Sequence, residues 1–243
     1  MKKNLLLEIA VFSLEAAIAA AKAGAHRIEL CDNAADGGTT PSYGMLVEVR
    51  KRLSIPVFPI IRPRGGHFVY SKSEFESIKE DVLLCKRLGF EGIVVGFLDA
   101  QGHVDTKQLK AVMKIAKPMQ VTFHRAFDRT KKPLKALEEI IACGCTRILS
   151  SGQFPTAADG ANNLRILIEK ASDRIIIMPG SGVNSSNISD LVNLTGAAEF
   201  HTAARKALHD KSIYSPKTMQ EKLSYTSVDK KEIKKILLTL NQM

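Results

Sequence analysis

The segment AGAHRIELC, residues 23–31, carries the pattern that decides the fold. Gly24 follows an alanine-rich stretch of helical character, and a short strand-like run begins just after it. The same arrangement recurs at Gly89, Gly144 and Gly196, which shortly precede GIVVG, TRILSS and EFH. A helix that ends at a glycine and returns directly into a strand fits all four places.

Four further strand-like runs lack the preceding glycine: LLLEIA, VFPIIR, MQVTFH and RIIIMP. The eight runs alternate with helical segments near residues 13–23, 43–53, 73–88, 105–116, 132–142, 158–171 and 185–194. Such alternation predicts parallel strands joined by helical crossovers, and eight strands close a (β/α)8 barrel of the TIM type. A doubly wound open sheet is the alternative, but no G-x-G-x-x-G follows the first strand.

We expect one α/β barrel over residues 1–204 and a basic extension over 205–243. The extension ends in an extra helix with an apolar stripe (Ile233, Ile236, Leu237 and Leu240), which packs on the barrel or on the partner of a dimer. The net charge is +10, yet no nucleic-acid-binding motif accompanies it, so the basic tail is interpreted as a solvated helix face. Four cysteines and the lack of a long apolar run predict a cytoplasmic protein that binds neither membrane nor nucleic acid.

Ionisable side chains are predicted to face the barrel axis. Side chains alternate along a strand, so where Ile28 and Leu30 face the helices, Glu29 faces the axis. The residues that this phase or a strand end places inside are Glu8, Glu29, Cys31, Arg62, Arg64, His124 and His201. Buried charges cost several kcal/mol each unless paired. They therefore pair with one another, or they lie at the C-terminal mouth, where barrel active sites are found. Arg27 and Arg147 begin their strands, and structural ion pairs are expected there.

Two glycine-containing turns, SSGQF after the sixth strand and GSGV after the seventh, are candidates for anion binding through backbone N–H groups. The residues concerned are Ser151, Gly152, Gly180 and Gly182. Arg125 and Asp128 follow the fifth strand. Asp128 either takes part in catalysis or only orients Arg125 or caps the next helix.

The CGC segment at residues 143–145 has the form of a two-thiolate clamp for a soft ion. Ordinary packing is the alternative. Cys143 ends a helix and Cys145 starts a strand, so both lie at the N-terminal end of the barrel. Cys31 lies at the opposite end, and the three cannot share one ion. Cys85 is expected to be buried within a helix.

The chain also contains, in this order, RIELC, GGTTPSYG, IRPRGGHFVYS, GIVVGFL, TFHRAFD, RILSSG, GSGV and EFHTAA. From about residue 5 to residue 205 it thereby resembles the CutC family, the copper homeostasis proteins. The resemblance implies a (β/α)8-like barrel, a cytoplasmic oligomer and a role in copper tolerance. The matched positions are Glu8, Glu29, Cys31, Arg62, Arg64, His124, Arg125, Asp128 and His201. Family members often have a cysteine where this chain has Ala10, so Cys31 lacks that sulfur neighbour.

Two functions follow, and both stay open here. The first is copper homeostasis, in which Cys31 binds Cu(I). The second is a cofactor-independent lyase, isomerase or aldolase acting on a small phosphorylated or carboxylated metabolite. Arg62 and Arg64 would hold the anion, and a carboxylate beside a histidine would transfer protons. The absence of a strand-end lysine disfavours a Schiff base. A barrel that binds its ligand without turnover is a third interpretation.

Overall fold

The computed structural model describes residues 5–209, 211–214, 216, 218–220 and 223–243. Within these residues, eight strands form the inner wall: β1 (Leu6–Val11), β2 (Arg27–Leu30), β3 (Val57–Pro59), β4 (Gly92–Val95), β5 (Gln120–Phe123), β6 (Arg147–Ser150), β7 (Ile176–Pro179) and β8 (Glu199–Thr202). The helices between them are α1 (Leu14–Lys22), α2 (Tyr43–Arg52), α3 (Lys72–Arg87), α4 (Thr106–Ala116), α5 (Pro133–Cys143), α6 (Ala161–Ala171) and α7 (Ile188–Thr195). A hairpin of β9 (Arg205–Leu208) and β10 (Tyr225–Val228) then leads to α8 (Lys230–Gln242).

The strands pair in parallel in the orders β3-β2-β1-β8 and β4-β5-β6-β7. A parallel bridge between Ile60 and Val94 joins the two groups after β3, and the Ile61 N–H donates to the Val94 carbonyl at 2.8 Å. On the other side β7 lies beside β8. The predicted TIM-type barrel is confirmed.

The predicted phase of the strands is also confirmed. Leu7 and Ile28 are fully buried in the main apolar core between strands and helices. A small separate cluster of Cys31, Phe58, Ile60 and Val94 fills the interior. The glycines predicted to end helices have the left-handed backbone that they require, with φ of 103° at Gly24, 75° at Gly89, 91° at Gly144 and 70° at Gly196.

Helix α8 takes the place of the eighth barrel helix. It packs against α7 and α1, so it closes the outer layer between the last unit and the first. Its apolar stripe of Ile233, Ile236, Leu237 and Leu240 is buried in the main core. Of the two packing partners expected for this helix, the structure thus shows the barrel, and the dimer stays a prediction.

The helices of the described residues were compared with the length and apolar character of a membrane-spanning helix. None of them combines the length and the apolar character that a bilayer crossing requires.

Candidate functional site

A cavity of about 730 Å³ opens at the C-terminal ends of the strands. Several ionisable side chains from four strands line it: Glu29 of β2, Arg62 after β3, His124 and Arg125 after β5, and His201 of β8. Ser181, Gly182 and Val183 after β7 also line it, as do Thr202 to Arg205 from the end of β8 to the start of β9. The parallel strands all end at this rim, which is why residues distant in sequence meet here.

Glu29 and His201 line this cavity and form a buried triad with Glu8, which does not itself line it. Parallel pairing sets Glu8 of β1 beside His201 of β8. The Nδ1 of His201 lies 2.8 Å from Oε1 of Glu8, while its Nε2 lies 3.7 Å from Oε2 of Glu29. His201 therefore bridges two carboxylates that are both almost completely buried.

The two carboxyl groups differ in acidity. Burial raises the pKa of Glu8, but the charge of Arg27 and the hydrogen bond with His201 outweigh it, so that this pKa is lowered to about 2. Burial raises the pKa of Glu29 to about 7; His201 opposes the shift and the charge of Glu8 adds to it. Burial acts against a charged His201, yet the hydrogen bond to Glu8 and the charge of Glu29 raise the pKa of its imidazole. Two carboxyl groups with separated pKa values suit acid and base roles.

A chain of ion pairs continues from the triad towards the N-terminal end of the barrel. Arg27 donates to Glu8 and, at 2.6 Å, to Glu199. Arg147 donates to the same Glu199 at 3.0 Å, and both guanidinium groups lie over the ring of Phe58. The structural ion pairs predicted for Arg27 and Arg147 are confirmed. The pair with Arg27 keeps Glu8 ionised.

Arg62 is buried at the cavity wall without a carboxylate partner among the described residues. Its Nη1 donates to the carbonyls of Asp36 and Gly38 at 2.7 and 2.8 Å, and its Nη2 donates to the carbonyl of Gly66 at 2.9 Å. Nε is buried and meets no acceptor within the described chain. A guanidinium has five N–H donors, so Nε–H and one N–H of Nη2 are left without a carbonyl or carboxylate acceptor in the described chain.

His124 is a neutral donor in the same wall. Burial and the charge of Arg62 lower its pKa to about 3. The Ala126 N–H donates to Nδ1 at 3.1 Å, so the proton of the neutral ring is on Nε2. In the part of the chain that the structure describes, Nε2 is buried without a partner.

Gly96 makes room for the His124 ring. A Cβ atom on Gly96 would lie 2.3 Å from Cε1 of His124 and 2.9 Å from Cβ of Ala126. We expect Gly96→Ala to displace the ring and to lower the free energy of unfolding by about 1–3 kcal/mol, as overpacking does. Gly44→Ala, on α2 with no atom within 4 Å of the added Cβ, is expected to be neutral or to stabilise by up to about 1 kcal/mol. Urea unfolding of both variants checks this, and equal stabilities would contradict it.

Other predicted site residues lie away from the cavity. Arg64 pairs with Glu74 at 2.5 Å and lies over the ring of Tyr70. Neither Glu8 nor Glu29 pairs with Arg62 or Arg64, because Arg27 and His201 occupy the two carboxylates.

Asp128 organises the loop after β6. It accepts hydrogen bonds from Arg125 Nε at 2.8 Å, from the hydroxyl of Ser150 at 2.6 Å and from the backbone N–H groups of Ser151 and Gln153. Asp128 thus orients Arg125 and the loop after β6, and a catalytic part for it stays a prediction. Arg125 remains at the cavity wall, where its Nη2 donates to Ser151.

The two turns expected to bind anions differ in their free donors. In the turn after β6, the Ser151 N–H donates to Asp128 and the Gly152 N–H donates to Ser150 Oγ at 2.9 Å. In the turn after β7, the Gly180 N–H donates to the Ser150 carbonyl, whereas Gly182 lines the cavity. Anion binding by backbone groups thus stays a prediction for Gly182.

The surroundings of Cys31 do not fit a two-thiolate copper site. Its side chain packs with Phe58, Ile60 and Val94, and burial together with Glu29 raises the pKa of the thiol well above its usual value. Parallel pairing places Ala10 opposite Glu29, next to Cys31, where a second sulfur would be needed. Cu(I) prefers sulfur ligands, and within the described residues no group of three or more His, Cys, Asp or Glu side chains is placed to hold an ion.

Two contributors to the site were not predicted from the sequence. Gly96 admits the His124 ring. Phe68 packs against that ring at a tilt of 49°, with centroids 4.9 Å apart, and lies under the Arg62 guanidinium. The signal for Gly96 was its place at the end of a strand that opens into the mouth, where a glycine often marks a close approach. Phe68 lies on a loop, and no periodicity points to it.

Comparisons with known proteins agree with the fold and with the matched motifs. The family model described as CutC family matches residues 5–206. A CutC family protein from Chromobacterium violaceum is 50% identical over 200 residues, which cover 82% of this chain and 81% of the relative. The human copper homeostasis protein cutC homolog is 45% identical over 200 residues, 82% of this chain and 73% of the relative.

Solved structures give the same assignment. The crystal structure of the copper homeostasis protein CutC from Streptococcus agalactiae matches with a TM-score of 0.79 and 35% identity, over 82% of this chain and 98% of that chain. Thiamine phosphate pyrophosphorylase from Pyrococcus furiosus matches with a TM-score of 0.62 and 14% identity, over 99% and 98% of the two chains, and shows the fold alone. The barrel, the motif order and the extent of these matches mean that this chain belongs to the CutC family.

Proposed function

We propose that the protein binds a small carboxylated or phosphorylated metabolite in the cavity and catalyses a proton transfer on it without a cofactor. The observation that carries this proposal is Arg62. The other buried charges near the axis are balanced: Arg27 and Arg147 face Glu8 and Glu199, and His201 faces Glu29. A buried guanidinium left with carbonyl partners costs several kcal/mol, which an anionic ligand would offset.

The remaining donors of Arg62 suit that ligand. Nε–H and an N–H of Nη2 are the pair with which a guanidinium binds a carboxylate or phosphate side-on. Arg125 lies on the same cavity wall and is partly exposed, so it can add a second positive charge. No lysine is among the residues that line the cavity in the described chain, which favours acid–base chemistry over a Schiff base.

The chemistry proposed is removal of a proton next to a carbonyl group. The Glu29 carboxylate takes the proton, and the electron pair of the broken C–H bond moves to the carbonyl oxygen. The Nε2–H of His124 donates to that oxygen, a role that a neutral imidazole performs because its pKa is low. His201 or Glu29 then returns a proton to the neighbouring carbon, as in an isomerase, or assists departure of a leaving group, as in a lyase.

We infer that this chemistry serves copper homeostasis in the cell, because the human and streptococcal relatives are named copper homeostasis proteins. Direct Cu(I) binding by Cys31 has the weaker support, since that thiol lies in an apolar cluster. The proposed reaction needs no metal at the mouth.

Thermal unfolding with a panel of small carboxylates and phosphate esters tests the binding step. A ligand at 100 times its Kd stabilises by about 2.7 kcal/mol, so we expect at least one compound to raise the Tm of the wild-type protein. Arg62→Met should lose this shift. Arg64→Met is the matched control and should keep it, because Arg64 pairs with Glu74 outside the cavity. Equal shifts in wild type and Arg62→Met, or no shift with any anion, would contradict the proposal.

A further inference from the structure

Arg205 is a second arginine that lines the cavity and has no carboxylate partner among the described residues. It begins β9, just after the end of β8, and it is exposed. Its guanidinium carbon lies 5.1 Å from the centroid of the Phe12 ring, which lines the same cavity after β1. Arg62 has the same arrangement over the ring of Phe68. The cavity therefore contains two guanidinium groups, each on an aromatic ring and each without a carboxylate.

The two guanidinium groups are held at separate strand ends. Arg62 donates to backbone carbonyls of the loops after β2 and β3, whereas Arg205 lies over the ring that follows β1. The strand order β3-β2-β1 places β2 between the two positions. Neighbouring strands are about 4.8 Å apart, so the ends of β1 and β3 are separated by about 10 Å. A ligand that meets both arginines therefore needs an anionic group at each end.

Backbone donors lie in the same part of the wall as Arg205. Gly182, Val183 and Ala203 line the cavity, and their N–H groups donate to no acceptor within the described residues. Thr202 joins the two turns that carry them, because its hydroxyl donates to the Val183 carbonyl at 2.6 Å and Ala203 follows it directly. The three N–H donors and the guanidinium are thus parts of one connected wall.

The turn that carries two of these donors is strained. Ser181 has a φ of 83°, a value that residues other than glycine rarely adopt. Its carbonyl accepts from the Ala157 N–H at 2.9 Å, and its hydroxyl donates to the Pro155 carbonyl at 2.8 Å. These contacts with the loop after β6 hold the turn in place. Strain that the surroundings maintain in this way is concentrated at ligand sites.

Two carboxylates also line this end of the cavity, and both accept hydrogen bonds from the chain. Glu232 accepts from the Ser185 N–H at 2.6 Å and from the Ser185 hydroxyl at 2.9 Å. Asp229 caps α8 and accepts from the Lys231 N–H at 2.8 Å. Like charges repel, so an anion at this end would contact Arg205 and the free N–H donors rather than α8.

We propose that the ligand of the cavity carries a carboxylate at one end and a phosphate monoester at the other. The carboxylate binds Arg62 side-on, and the phosphate binds Arg205 and the N–H groups of Gly182, Val183 and Ala203. A phosphate offers three terminal oxygens to such a set of donors, which suits backbone N–H groups together with a guanidinium. A phosphorylated keto or hydroxy acid is the substrate class. This inference rests on the proposed function, because Arg62 is the anion site there.

Isothermal titration calorimetry with matched pairs of acids tests the second anion site. Gluconate that is phosphorylated at its last carbon should bind about tenfold more tightly than gluconate, because only the ester reaches both arginines. Phosphoglycolate should gain little over glycolate, since its two anionic groups are too close together. Arg205→Met should abolish the gain of the longer ester and leave the affinity for gluconate unchanged. Lys206→Met is the matched control and should keep the gain, because Lys206 is also exposed on β9 but does not line the cavity.

The second site is wrong if gluconate and its phosphate ester bind the wild-type protein equally, or if Arg205→Met keeps the gain. The exposed position of Arg205 means that methionine there leaves the core intact. Arg62→Met distinguishes this failure from that of the proposed function. Gluconate and its ester that bind equally, and only when Arg62 is present, would overturn the second site alone. Unchanged binding of both compounds in Arg62→Met would overturn the proposed function and the second site together.

Discussion

Replacing Arg27 by methionine is expected to lower the free energy of unfolding by about 3–5 kcal/mol, because removing one partner leaves buried charges uncompensated. Arg27 is the partner of both Glu8 and Glu199, and all three side chains are almost completely buried. Methionine keeps most of the volume and the contact with Phe58, so the loss is electrostatic. Urea unfolding at neutral pH measures it.

The control for Arg27→Met is Arg174→Met. Arg174 also makes an ion pair, with Glu138 at 2.7 Å, but on the surface. Exposed pairs contribute little, and we expect no measurable change in stability there. The double variant Glu8→Gln/Arg27→Met should recover part of the loss, since it removes the stranded carboxylate. Similar effects of Arg27→Met and Arg174→Met would refute the buried network as a source of stability.

Glu29→Gln is expected to make the protein more stable at pH 8. The pKa of Glu29 is raised from 4.5 to about 7, so the folded state holds this proton more tightly than the unfolded state does. The resulting stability is present below pH 4.5 and is lost as the pH rises through 7. One pKa unit corresponds to about 1.4 kcal/mol, which makes the expected gain at pH 8 about 3 kcal/mol. Glutamine imitates the protonated form and avoids the loss.

Two measurements test whether the ionisation of Glu29 causes the stability gain: the pH dependence of unfolding and a second variant. At pH 4 wild type and Glu29→Gln should be equally stable, because both then carry a neutral group at position 29. Glu199→Gln is the control, since Glu199 is as buried as Glu29 but is paired with two arginines. It should destabilise. A Glu29→Gln variant that is less stable than wild type at pH 8 would show that Glu29 is a structural carboxylate. A gain would mark it as a residue kept for function at a cost in stability.

Much of the fold was predictable because it depends on local periodicity. Gly24, Gly89, Gly144 and Gly196 mark helix ends by a left-handed backbone that other residues rarely adopt. The alternation of apolar residues fixed which side of each strand faces the helices. For Glu8 and Glu29 this placed the carboxylates inside the barrel. The role of α8 as the closing helix was not predictable, because the hairpin before it breaks the repeat.

The candidate site was predictable as a set of residues, and its internal pairing was not. Arg62 and Arg64 are two residues apart in one motif, yet the first is buried at the cavity and the second pairs with Glu74. Asp128 follows a strand end as a catalytic residue would, but its carboxylate oxygens accept hydrogen bonds from Ser150 and Ser151. Such partners come from distant segments, and no spacing along the chain encodes them.

The sequence by itself determined that ionisable groups would gather at one rim of a barrel, because strand alternation and helix-ending glycines act over a few residues. Only the tertiary structure decided which of them are neutralised. That depends on strand register, which sets His201 between Glu8 and Glu29 and Arg27 between Glu8 and Glu199. In a buried site, distances of a few ångströms between side chains settle which group is charged, and the register decides which side chains come that close.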